Sequence, residues 1–134
     1  MKWALFVGAR PQPQARPIYV KKLDRFISPK ADFYLAVKRE AKKCAPTEPI
    51  NKAVKLTVSF CYLPPECKKY AVFNTSRPDL DNLEKAVMDA LTQAKVWRDD
   101  CLVVKKDSRK IYRDFEGVYI VVETLKNIKD FGAL

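Results

Sequence analysis

Between Lys52 and Leu63 every second residue is apolar. Val54, Leu56, Val58, Phe60 and Tyr62 lie on one side, and Lys55, Thr57 and Ser59 on the other. A period of two is met by a strand with one buried face. Such a strand needs a sheet around it and an apolar layer over it. Two stretches of helical period supply that layer. In the first, Phe33, Val37, Ala41 and Cys44 form a buried stripe. Ser28 is placed to cap this helix and Pro29 to open its first turn, and Pro46 and Pro49 stop it after Cys44. The second runs from Asp79 to about Ala94, with Leu83, Val87, Ala90, Leu91 and Ala94 on its core face.

Lys2 to Val7 reads as a first strand. Its apolar run ends at Arg10 rather than at a small-residue cleavage site, so a buried strand is preferred to a leader. Gly8 to Pro17 is a loop broken by prolines, and Ile18 to Val20 a short extended piece. Residues 64–76 have no clear period and read as a loop. Cys101 to Tyr112 and Val118 to Leu125 are strands, joined by a turn at Asp114 to Gly117 into an expected hairpin. The order β-α-β-α-β-β predicts an α+β fold: one mixed sheet with two main helices packed on it. A chain of 134 residues is expected to form one domain, 1–134.

The chain carries a net charge of +10, unevenly spread. Residues 1–55 hold thirteen Lys and Arg against four Asp and Glu, and residues 77–134 hold eleven of each. A basic front half suits a polyanionic partner such as nucleic acid. Arg10 and Arg16 in the proline-rich loop either reach phosphate or decorate a solvated connector. Lys38, Arg39, Lys42 and Lys43 on the first helix either bind a phosphate backbone or form a solvated face. There is no histidine. That excludes Ser-His-Asp and Cys-His catalysis and His-ligated zinc. The four cysteines, Cys44, Cys61, Cys67 and Cys101, form no CxxC pair and read as reduced, mostly buried thiols, with Cys67 in a polar stretch. Any catalysis must come from carboxylates, lysines, a hydroxyl or a metal. No run is long enough to cross a membrane.

One stretch runs against the basic balance. Arg77 to Asp100 carries Asp79, Asp81, Glu84, Asp89, Asp99 and Asp100, six of the chain's sixteen acidic residues. A structural account makes Asp79 an N-cap, pairs Asp81 with Lys85 across one turn, and leaves Asp99 and Asp100 as turn residues. It does not explain the density of carboxylates. At 100° per residue, Asp81, Lys85, Met88 and Asp89 face away from the core. Should the following strand fold back beside the helix N-terminus, Asp100 would join Asp79 and Asp81. Three such carboxylates repel one another, and Mg2+, which prefers hard oxygen ligands, would relieve that.

The string RPDLDNLEKAVMDAL…WRDD resembles the RusA family of Holliday-junction resolvases, whose pattern is D-x-D-N-L-x-K…D-A-L on a helix followed by D-D. The likeness is close from Arg77 to about Val104, and GARPQPQARP is more loosely similar to the family's Gly/Pro/Arg-rich N-terminal loop. The resemblance implies a Mg2+-dependent homodimeric endodeoxyribonuclease that cuts four-way DNA junctions in the cytoplasm of a bacterial or phage-infected cell. It makes Asp79, Asp81 and Asp100 the metal-binding catalytic carboxylates and Lys85 the essential lysine, with Asn82, Asp89 and Asp99 in support. Arg77 is the one arginine here where the best-known member has a run of them, which bears on cut-site preference and junction selectivity. Two alternatives remain: a non-catalytic DNA- or RNA-binding protein of the same fold, and a nuclease for other branched DNA.

Overall fold

A computed structural model describes residues 1–14, 17–27 and 31–126 of the chain. Its main sheet has four strands, β1 (Lys2–Val7), β4 (Val54–Tyr62), β5 (Val103–Tyr112) and β6 (Gly117–Thr124), in the order β1-β6-β4-β5. β4 runs antiparallel to β6 and parallel to β5, so the sheet is mixed as expected. Helices α1 (Asp32–Cys44) and α2 (Leu80–Gln93) lie against one face of it. That face is the alternating row predicted for β4: Val54, Leu56, Val58, Phe60 and Tyr62 are all buried. Val118, Ile120 and Val122 of β6 and Trp3 and Val7 of β1 extend it. The helices answer with Phe33, Val37 and Ala41 from α1, and Leu83, Ala86, Val87, Ala90 and Leu91 from α2.

β5 and β6 do not form the expected hairpin, because β4 lies between them. β4 is the most thoroughly buried strand and takes a central place, whereas β5 carries Lys105, Lys106, Asp107, Arg109 and Lys110, a composition that suits an exposed edge. The connector from Arg113 to Glu116 instead crosses the end of β4, where the Arg113 amide donates to the Tyr62 carbonyl at 2.8 Å. Gly117 follows, and a Cβ there would stand 2.7 Å from the Phe6 ring and the Val7 carbonyl.

A second, two-stranded sheet was not foreseen beyond its first strand. β2 (Ile18–Val20) pairs antiparallel with β3 (Arg25–Ile27) through a 3-10 turn at Lys21–Leu23 and Asp24, which takes a left-handed φ of 49°. Helix α1 begins at Asp32, with Ala31 at the cap position and no side-chain cap. The expected cap Ser28, Pro29 and Lys30, like Arg16, lie outside the described residues. Cys44 is exposed rather than part of the buried stripe, and Tyr34 is buried in addition. Of the four free thiols, Cys61 alone is buried, so the expectation of mostly buried cysteines fails. Within residues 64–76 there is one 3-10 turn, Glu66–Lys68, and Phe73 bridges to Ile111 on β5. Among the described residues no helix is long and apolar enough to cross a membrane.

Candidate active site

The acidic stretch is the crossover between two neighbouring parallel strands. Parallel neighbours require such a crossover, commonly a helix that runs back along the sheet. α2 therefore starts over the C-terminal ends of β4 and β5 and ends beside the 3-10 turn Asp100–Leu102, where β5 begins. This direction decides which carboxylates meet.

At the start of α2, Asp79 occupies the N-cap position. Its carbonyl accepts from the Leu83 amide, but its carboxylate makes no cap bond. Asp81, two residues on, is exposed, and its Oδ1 accepts from the Asn82 amide at 3.0 Å. Both sit at the positive end of the helix. Lys85 is exposed one turn along, and the expected ion pair between Asp81 and Lys85 is absent among the described residues. Arg77, Pro78, Asp79 and Asn82 line an open cleft whose other wall is Pro13 and Gln14 of the N-terminal loop. The Arg77–Pro78 bond is cis.

Asp100 does not join Asp79 and Asp81. It stands beyond the other end of α2, in a second cleft with Tyr34, Asp89 and Asp99. A hydrogen bond to Asp99 pushes the Asp100 carboxyl up, and burial and the charges of Asp99 and Asp89 add to this. Asp99 is pulled down by that same bond and by the Cys101 amide. Gln14 lines both clefts. Among the described residues, no three of His, Cys, Asp and Glu stand close enough to hold one ion. The donor set still suits Mg2+: every nearby acidic ligand is a hard oxygen, and Mg2+ commonly takes one or two carboxylates, keeps waters and completes its shell with substrate phosphate. Asp79 and Asp81, adjacent at one helix terminus, are such a pair.

Of the basic residues singled out, Arg10 and Arg77 line a third cleft with Tyr62, Asn74 and Tyr112. Arg10 lies over the Tyr62 ring at 5.9 Å and 3.7 Å from Glu116. On α1, Arg39 and Lys43 both pair with Glu40, at 3.4 and 3.1 Å, while Lys38 is half-buried and Lys42 exposed.

The sequence assigned no role to Gln14, Asn74, Ser108 and Lys110, and counted Glu84 only as one carboxylate of the acidic stretch. Glu84 is buried on α2 yet fully engaged, accepting from Ser108 Oγ at 2.6 Å and Lys106 Nζ at 3.5 Å. The one available signal was the alternation of polar residues along β5, which places Lys106, Ser108, Lys110 and Tyr112 on one side of the strand.

An α+β sheet whose crossover helix presents the exposed carboxylates Asp79 and Asp81 and the exposed Lys85, within a basic chain, offers a site suited to a metal ion and a polyanion. The chain belongs to the endodeoxyribonuclease RusA family, whose model matches residues 9–123. It is 36% identical over 78 residues to a crossover junction endodeoxyribonuclease of Lactococcus phage r1t, covering 57% of this chain and 60% of that one. It is 45% identical over 51 residues to the crossover junction endodeoxyribonuclease RusA of Escherichia coli O139:H28 (strain E24377A / ETEC), covering 38% of this chain and 34% of that one. These matches thus span less than two thirds of either relative.

Proposed function

We propose that this chain is a Mg2+-dependent, structure-selective DNA endonuclease that resolves four-way junctions by paired symmetric cuts. The observation that carries this reading is the exposed Asp79–Asp81–Lys85 edge of α2, whose Asp79 carboxylate and Lys85 amine have no protein partner among the described residues. Membership of a family of endodeoxyribonucleases, and two relatives named for crossover junctions, support the substrate class.

In this reading Asp79 and Asp81 would hold Mg2+ at the start of α2, while Asp100, with Asp89 and Asp99 at the other end of that helix, is a separate carboxylate group outside the pair. When bound, Mg2+ supplies Lewis-acid polarisation of the scissile phosphate and an activated water. Lys85 neutralises charge that builds on the phosphate. Arg10 and Arg77, with Arg16 and the Lys38, Arg39, Lys42 and Lys43 face of α1, hold the DNA backbone. Residues 1–134 act as one nuclease domain. A C2 homodimer supplies the two related sites that paired cuts require. The place of action is the cytoplasm of a bacterial or phage-infected cell.

The test is to incubate the protein with a mobile four-way junction, a flap and plain duplex, in Mg2+ or EDTA. Cutting of the junction in Mg2+ alone is expected. Asp81→Asn abolishes cutting and leaves junction binding intact or tighter, because a negative charge facing DNA is removed. Lys85→Ala loses cutting with little change in melting temperature. Wild-type cutting by Asp81→Asn would remove Asp81 from the site. Binding indifferent to Mg2+ with no nicking would mark a binding protein, and a preference for flaps a nuclease of other branched DNA.

A further inference from the structure

One side of β5 grips the acidic stretch residue by residue. Tyr112 Oη donates to Asn74 Oδ1 at 3.1 Å, and the same oxygen accepts from the Ser76 amide at 2.9 Å. Lys110 Nζ donates to the carbonyls of Ser76 and of Pro78, the latter at 2.8 Å. Ser108 and Lys106 hold Glu84. Successive rungs of the strand thus take successive points of the segment that delivers Asp79 and Asp81.

The Lys110 contact is the most specific of these. The Pro78 carbonyl belongs to the peptide unit that includes the Asp79 nitrogen, and that unit is planar. Fixing this oxygen fixes the plane from which Asp79 departs. Hydrogen bonds from a charged donor are stronger and shorter than neutral ones. An ammonium on an edge strand ordinarily spends itself on water or on a carboxylate. This one is instead directed at two carbonyls, 34 and 32 residues away in sequence, and is in no ion pair among the described residues. The Asp79 carboxylate makes no cap bond that could orient it from its own helix.

We propose that Lys110 is a positioning residue of the active site: by holding the Ser76 and Pro78 carbonyls it presents the Asp79 carboxylate for metal binding. This rests on Asp79 being a metal ligand, as proposed above. Lys110 touches neither substrate nor metal, and acts through Asp79.

The experiment compares wild type, Lys110→Ala, Lys110→Arg and Asp79→Asn. It reads junction cleavage, junction affinity in EDTA, and Mg2+ affinity from amide NMR of Asp79 and Asp81 without DNA. A displacement near 1 Å costs on the order of a hundredfold in rate, so Lys110→Ala should cut about ten- to a hundredfold more slowly. Its Mg2+ affinity should fall while junction affinity stays within about twofold, and Lys110→Arg, which keeps a charged donor, should recover most of the rate. Lys110→Ala cutting at the wild-type rate beside a dead Asp79→Asn overturns the positioning role and leaves the assignment of Asp79 standing. Cutting by Asp79→Asn at the wild-type rate overturns both. Loss of cutting in proportion to lost junction affinity makes Lys110 a DNA contact and overturns the proposal. Where Lys110→Ala fails to fold, Lys110→Met, which keeps most of the apolar stem, takes its place. Failure of both to fold would make Lys110 a support of the fold and overturn its positioning role.

Discussion

Tyr62 closes β4 with its ring beneath Arg10 and its hydroxyl donated to the Pro11 carbonyl at 3.0 Å. Burial raises its pKa from 10.0 to about 12, the Arg10 charge drawing it back and Glu116 adding to the rise. A phenol whose folded pKa is raised contributes stability that is complete below its unfolded pKa and is lost as pH climbs to the folded one. The advantage of wild type over Tyr62→Phe in urea unfolding should therefore hold steady up to about pH 10 and shrink between 10 and 12. An advantage that persists unchanged at pH 12 would contradict this. Residues differ in how visible they are before the fold is known. Asp81 and Lys85 declare themselves through helical phase alone, because 100° per residue puts them off the core. Lys110 does not, because its partners are backbone carbonyls, which every residue possesses. Nor does Asp100 reveal its neighbours, since the direction of α2 against the sheet decides them.

Helix α2 is tied to β5 by one buried carboxylate. Glu84→Ala would leave the Ser108 hydroxyl without its acceptor and Lys106 without its ion pair, at a cost of about 1–3 kcal/mol in urea unfolding. In a double-mutant cycle, Ser108→Ala should cost little once Glu84 is gone, and additive losses would deny the coupling. Both main helices and all four strands of the main sheet were legible as elements, because their apolar residues repeat at the period of the structure they form. Pairing was not. The short turn after β5 suggested a hairpin, but a strand joined by a short connector need not pair with its successor when a more apolar strand claims the place between them. The β2–β3 ribbon escaped because Ile18, Tyr19, Leu23 and Phe26 are all exposed and leave no buried side for a period to mark.

Across the whole molecule, the basic front half and the acidic crossover meet where the N-terminal loop crosses α2, at Pro13 and Gln14. Each phosphate contact releases counterions, so junction affinity should fall linearly on a log-log plot against salt. If α1 contacts DNA, Lys38→Ala and Lys42→Ala should each reduce that slope by roughly one, read by fluorescence anisotropy. An unchanged slope would make the α1 face merely solvated. The α+β class was legible because it follows from the succession of periods and requires no knowledge of pairing.

The parallel pairing of β4 with β5 has a consequence for how the molecule comes apart. β5 is an edge strand, its outer side covered near one end by the bonds from Asn74 and to Val72. Edge elements open locally at lower free energy than the core they border. Were β5 to detach, Lys110, Ser108 and Lys106 would leave together. α2 would keep Leu83, Val87 and Leu91 in the core and lose the bonds that aim its first turn. If the chain cuts as proposed, loss of cutting on such an opening would precede loss of the core, and the two would be separable in measurement.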